Sequence, residues 1–425
     1  MAMSHTDGRG RRRSKPTTTK MQETREMKEK EKGEVDSGSA LQLYLDRIPI
    51  NSIPGITNSA VLELKTGDTV RDAIQLLYEK DVLGAPIVDV VSPDTQIGRS
   101  SDNYIGFIDL AGMVLWSIEQ FEKADNVQTK GCDSKSGIFT MLEENPQIGQ
   151  TKIGGLAKAH LWDPFFPVNL DSTLFHVLLL FSKHQIKVVP VVEQSNSQVI
   201  GFVTQNAVIH LLLQSNGLEW FDSIADKALS EFRFETEKQV THAYGDQSLA
   251  EALHLLLKSQ VGFIPVLDRA SKRLIGSIRS CDIYLLLEND NIFDDRKSLT
   301  AEEFIHMETD KSKSDSTIEP DVGALLSAGI LRLRNNFLPE MDSPVTSKRS
   351  DTLKQLMTKM ADRKSSFSFL VNDLQQVTGV VSSRDVIVQF APPCIDSSFH
   401  GGGFFDCALE QTGCHVQNGT MISDR

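Results

Sequence analysis

The sequence predicts an α+β chain made of four copies of one β-α-β-β-α unit, grouped two by two, and three observations carry that expectation. Four segments, DTVRDAIQLLYEKDVLGAPIVDV, STLFHVLLLFSKHQIKVVPVVEQ, QSLAEALHLLLKSQVGFIPVLDR and DTLKQLMTKMADRKSSFSFLVND, align without gaps. Thr69 to Pro86, Thr173 to Pro190, Ser248 to Pro265 and Thr352 to Phe369 are each 17 residues apart. The starts at 69, 173, 248 and 352 are separated by 104, 75 and 104 residues, so the copies fall into two matched pairs.

Each unit opens on Thr or Ser, whose side-chain oxygen caps the free amides of a helix start. In three of them Asp72, Glu251 or Gln355 follows at the third position, as in a capping box. The helices then show one apolar face: Val70, Ala73, Ile74 and Leu77 in the first, Leu249, Ala252, Leu253 and Leu256 in the third. A β-branched run follows (PIVDV, PVVE, PVLD, FLVND), then a second strand centred on glycine: YIGFI, VIGFV, LIGSI, VTGVV. The strand connections are of hairpin length except in the first copy, which inserts VSPDTQIGRSSDN. A lone unit of about 55 residues leaves one sheet face bare, and pairing covers it.

These features divide the chain into a charged, disordered tail over 1–40, repeats over 45–125, 155–218, 232–291 and 340–391, a charged connector over 292–338 and a C-terminal tail over 392–425. Within the connector, 294–321 is poor in aliphatics and is expected to run over the surface. The formal charge of −13 disfavours nucleic acid as a partner. Five scattered cysteines form no disulfide framework, which suits a reducing compartment. Apolar runs such as HVLLLF are far too short to insert in a membrane, so the expected location is cytoplasmic. The basic cluster Arg9, Arg11, Arg12, Arg13 and Lys15 reads either as a nuclear-import signal or as a solvated tail.

The apolar-x-Pro-apolar strand and the Gly-apolar-apolar-(Ser/Thr)-x-x-Asp strand-to-helix junction resemble the cystathionine β-synthase (CBS) domain, over residues 45–391. Four CBS repeats in two Bateman-type pairs resemble the γ regulatory subunits of AMP-activated and sucrose-nonfermenting-type protein kinases. IPINSIPGITNSAVLELKTGDTVRDAIQLLYEKDVLGAPIVDV and the tail APPCIDSSFHGGGFFDCALEQTGCHVQNGTM resemble the plant members. The resemblance implies a non-catalytic subunit of a heterotrimer with a catalytic α and a scaffolding β subunit. It requires no cofactor, and it implies AMP, ADP or ATP as the candidate ligand.

In such subunits the junction Asp holds the ribose hydroxyls, and basic residues before the strand Pro meet phosphate. Repeat 1 has Gly112 where the acid is expected and Asp109 in the hydroxyl slot, and repeat 2 has Ala207 in place of the acid. Repeat 3 keeps Asp282 with Arg279 in the Ser/Thr slot. Repeat 4 keeps the whole pattern through Val380, Ser382, Arg384 and Asp385, and its partner wall by alignment is Thr236, Thr241, Val261, Gly262 and Phe263. Against phosphate binding, the basic positions before the strand are Leu83 in repeat 1 and Ser366 and Phe367 in repeat 4, leaving Lys187 as the one match. Asp282 and Asp385 read equally as first-turn acids favoured by the helix dipole, and Arg279 and Arg384 as surface cations.

No Ser/His/Asp or Cys/His arrangement follows from spacing, Gly401–Gly403 lacks the context of a phosphate loop, and Cys407, Cys414 and His415 lack metal spacing. A dehydrogenase with a CBS pair inserted in a barrel fails because too few residues remain for about 250 residues of barrel. A free-standing CBS module that senses an adenosyl ligand for another enzyme or transporter is the alternative.

Overall fold

The computed structural model describes residues 37–53, 56, 61–89, 104–125, 137–159, 162–195, 198–234, 240–259, 261–307, 331, 333 and 340–391, together with two strands near the C-terminus. The tail over 1–36, with its basic cluster, the insertion 91–103 and Gly401–Gly403 lie outside the described residues. Chain order opens with α1 (Ser37–Leu45), so helix begins inside the stretch expected to be disordered up to residue 40.

Repeat 1 holds β1 (Leu64–Lys65), α2 (Val70–Glu79), β2 (Gly84–Val88), β3 (Tyr104–Asp109) and α3 (Leu110–Asp125), followed by α4 (Gly137–Glu144) and β4 (Trp162–Asp163). Repeat 2 holds β5 (Val168–Asn169), α5 (Leu174–Lys183), β6 (Val188–Val192), β7 (Val199–Thr204) and α6 (Gln205–Leu213), then α7 (Glu219–Ala225). Repeat 3 has β8 (Ala243–Tyr244), α8 (Leu249–Ser259), β9 (Phe263–Leu267) and β10 (Leu274–Arg279). A 3-10 turn over Ser280–Tyr284 then leads into α9 (Leu285–Glu288), α10 (Asp290–Asp294) and α11 (Ala301–Ile305). Repeat 4 has β11 (Thr346–Ser347), α12 (Leu353–Asp362), β12 (Phe367–Val371), β13 (Val377–Ser382) and α13 (Ser383–Phe390), and β14 (Cys414–Gln417) and β15 (Thr420–Ser423) form a terminal hairpin.

The four sheets share one topology: the first short strand runs parallel to the middle one, which pairs antiparallel with the third. Sheet 1 gains β4 on the edge of β3. Capping follows the sequence at Thr69, whose oxygen accepts the Asp72 amide at 3.1 Å, and at Thr352, which forms a full capping box with Gln355. Thr173 departs from it: its hydroxyl donates to Asp46 at 3.1 Å instead of capping α5.

A sixth recurring element, not foreseen from the sequence, locks each pair. Ile48–Ile50 exchanges two backbone hydrogen bonds with Ser172–Leu174 (2.8 and 2.9 Å), so the lead-in to repeat 1 clamps the helix start of repeat 2. Thr151–Ile153 does the same for repeat 1, Lys227–Leu229 for repeat 4 and Leu299–Ala301 for repeat 3. Each segment satisfies amides at a helix start that would otherwise need water or side chains.

The apolar surfaces are shared crosswise. Sheet faces meet within pairs: Phe107, Val188 and Phe202 join repeats 1 and 2, and Phe263, Phe367, Phe369 and Val380 join repeats 3 and 4. Helices meet between pairs. One core combines Val114 and Ile118 of α3 with Leu253 and Leu256 of α8, and the other combines Leu178 and Phe181 of α5 with Leu356, Ile387 and Phe390 of repeat 4. All four units thereby belong to one body.

The segment expected over the surface at 294–321 is a correction over its first part. Ala301 and Phe304 are fully buried, Ile305 nearly so, and all three belong to the core of repeats 1 and 3. The charges at Glu302 and Glu303 stand on the outer face of α11, which masked an amphipathic pattern only one turn long. Arg296 is buried too, its Nε 3.3 Å from Glu122 of α3, its Nη1 donating to the Phe293 carbonyl at 2.8 Å, and its guanidinium 4.3 Å from the Phe293 ring centroid. Residues 308–330 lie outside the described residues.

Candidate functional site

The equal spacing of the repeats places one strand pair at the same register in all of them. The residue two before the strand Pro, or before Phe369 in repeat 4, faces the strand-to-helix junction: Gly84 opposite Asp109, Val188 opposite Thr204, Phe263 opposite Arg279, Phe367 opposite Ser382. The junctions between paired sheets are the two candidate clefts, and Val188, Phe263 and Phe367 of this set lie in the cores there.

In the cleft of repeats 3 and 4, Phe263 and Phe367 stack with centroids 3.7 Å apart and planes 17° from parallel, and Phe369 meets both edge-on. Beside the stack, Arg279 closes on Asp282: Nε donates to Oδ2 at 2.8 Å, Nη2 to Oδ1 at 2.6 Å, and the Arg279 amide to Oδ2 at 2.9 Å. The two side chains are 10% and 6% exposed, so the pair is a buried bidentate fork with both carboxylate oxygens engaged. Burial opposes the guanidinium charge, but the Asp282 carboxylate beside it outweighs that and holds Arg279 above the ordinary arginine value. Burial also pushes the Cys281 thiol up to about 12.

In repeat 4 the carboxylate sits differently. The Asp385 Oδ2 accepts from the Ser382 amide at 2.8 Å and the Ser382 hydroxyl at 2.6 Å, while the Asp385 amide donates to Ser382 Oγ at 3.2 Å. Asp385 is therefore the N3 acid of a capping box, 5% exposed. Val380 is buried in the sheet-to-sheet core, Val261 is 47% exposed, and Gly262 has φ +80°, a conformation that suits glycine. Thr241 is exposed, and Thr236 lies outside the described residues. Arg384 extends to repeat 2, where its Nη2 donates to the Ser182 carbonyl at 3.1 Å. The expected set thus divides: Phe263 and Val380 lie in the core where sheets 3 and 4 meet, Arg279 with Asp282 and Ser382 with Asp385 pair within their own repeats, and Arg384 lies at the helix interface with repeat 2.

The cleft of repeats 1 and 2 repeats the theme with other residues. Phe107 and Phe202 meet edge to face at 5.6 Å, and Leu331 packs with them. Lys187 forms an ion pair with Asp109 across the cleft, and Asp109 also caps α3 through the Gly112 amide. Burial would lower the Lys187 ammonium, but Asp109 and Asp163 outweigh it and hold it above its usual value. Sequence reasoning named Arg279 and Lys187 as cations and Asp282 and Asp109 as acids, but not their pairing. The Arg-x-x-Asp spacing at 279–282 was the one legible signal, since residues three apart on a helical turn can meet.

Among the described residues no group of three or more His, Cys, Asp or Glu could hold a metal ion, and no helix is long and apolar enough to cross a membrane.

Three of the four β-α-β-β-α units, over residues 157–214, 233–289 and 340–391, match the CBS domain family. Repeat 1 lies outside that match yet shows the same strand order and register. More particularly, the chain is similar to the SNF1-related protein kinase regulatory subunit gamma-1 of Arabidopsis thaliana, at 24% identity over 405 residues covering 89% of each chain. It is also similar to the gamma-1-like regulatory subunit of that plant, at 23% identity over 410 residues covering 81% of this chain and 86% of the relative. Among solved structures, a Methanocaldococcus jannaschii protein described as an archaeal homologue of g-AMPK is 16% identical with a TM-score of 0.48, covering 81% of this chain and 100% of its own.

Proposed function

We propose that this chain is a non-catalytic γ-type regulatory subunit of an SNF1-related Ser/Thr protein kinase, holding a catalytic α and a scaffolding β subunit in one cytoplasmic or nuclear complex. The observation that carries the reading is similarity to the plant regulatory subunit along 89% of both chains, rather than over a single repeat pair. The crosswise cores support it: a body fixed by contacts within and between pairs presents a rigid, composite surface to two partners. Regulation would then follow linkage, in which a partner or ligand changes kinase activity only as far as it binds the active and inactive arrangements unequally.

The same reading puts an adenine nucleotide, if one binds, in the cleft of repeats 3 and 4, with Asp282 or Asp385 on the ribose and Thr236, Thr241, Val261, Gly262 and Phe263 on the partner wall. Arg279 is engaged by Asp282, and Arg384 reaches the Ser182 carbonyl of repeat 2 instead of the cleft. Co-expression with α and β subunits followed by size exclusion with light scattering tests the scaffold. A stable 1:1:1 complex is expected, and a solitary chain or homodimer favours a free-standing adenosyl sensor.

A further inference from the structure

We propose that Arg279 is an internal occupant of the repeat 3–4 cleft, a latch that takes both oxygens of Asp282 and, with the Phe263–Phe367 stack, shuts the cleft to nucleotides. The inference rests on the reading that this cleft is where an adenine nucleotide would sit.

Repeats 3 and 4 supply the comparison within one molecule. At identical register, opposite Phe263 and Phe367, the junction residue is Arg279 in one and Ser382 in the other. Ser382 directs its amide and hydroxyl to one oxygen of its acid. Arg279 gives its amide and Nε to Oδ2 and its Nη2 to Oδ1, so both oxygens of Asp282 are engaged. A carboxylate recognises vicinal hydroxyls by accepting from both at once, and Asp282 does so only after the buried fork opens. The aromatic contact is a second closure. Rings at 3.7 Å are in van der Waals contact, and a base inserted between them needs about twice that separation. Guanidinium and stacked rings therefore fill the places a sugar and base would take. On this account repeats 3 and 4 stay assembled without nucleotide.

The test is calorimetric titration of the full chain with AMP, for wild type, Asp282→Asn, Arg279→Ser/Phe367→Ala and the same double variant carrying Asp282→Asn. Wild type is expected to show no AMP binding at millimolar ligand. The double variant is expected to bind at least about 100-fold more tightly than that limit, as two hydrogen bonds to a charged group allow. Adding Asp282→Asn is expected to abolish the gain. AMP binding by wild type that is lost on Asp282→Asn overturns the latch, and so does a folded double variant that gains nothing.

Should the double variant fail to fold, hydrogen exchange on wild type decides. Unchanged exchange over 274–288 with AMP supports the latch, and AMP-induced protection there overturns it. Assembly with α and β is scored separately. Failure to assemble sinks the scaffold while a gain in the variant still supports the latch, and assembly without that gain does the reverse.

Discussion

Replacing Phe304 by alanine removes a fully buried ring from α11, which the charge-rich sequence around it suggested was surface. The ring belongs to the core shared by repeats 1 and 3, so its loss leaves a cavity between two units rather than at the rim of one. Phe-to-Ala changes at such sites cost about 3–5 kcal/mol, the lost transfer energy plus the cavity that remains. Glu302→Ala on the exposed face of the same helix is the matched control, expected within about 0.5 kcal/mol of wild type. Urea unfolding followed by far-ultraviolet circular dichroism reads both. Equal midpoints for the two variants would refute the placement of α11 in the core and, with it, the joining of repeats 1 and 3.

Gly201→Ala should destabilise by about 1–3 kcal/mol, because an added Cβ would collide with the Ile56 carbonyl oxygen, whereas Gly67→Ala, with nothing within 4 Å, should be near neutral; thermal melts compare them. Arg296→Ala leaves Glu122 without its buried partner; the 25% exposure of that acid sets the cost near the lower end of the buried-pair range, about 3 kcal/mol by denaturant unfolding. Cys281 should resist N-ethylmaleimide at pH 8 in the native protein and react on unfolding, read by mass spectrometry of its peptide, because a thiol pushed up to about 12 holds almost no thiolate there.

The repeat was legible because it is local: cap, helix face, strand and glycine lie within a few dozen residues, and their spacing survives without gaps. The reason for the glycines was not. Gly201 lies under the Ile56 carbonyl and Gly276 beside Ile305 and the Met341 carbonyl, approaches made by segments distant in the chain. The four clamping segments were missed for the same cause, since Ile48–Ile50 and Ser172–Leu174 meet only in three dimensions. At the site, sequence pointed to Asp282 and Asp385 and to the cations, but not to the pairing that decides their chemistry. Arg279 lies three residues from Asp282, whereas Lys187 meets an acid, Asp109, contributed by another repeat.

The scaffold is tested most directly by purifying this chain with its α and β partners, removing all nucleotide by exhaustive dialysis, and measuring the mass of the assembly in solution. The account predicts that one copy of each subunit remains together. Elution of this chain alone, with α and β retained in a complex without it, would contradict the account.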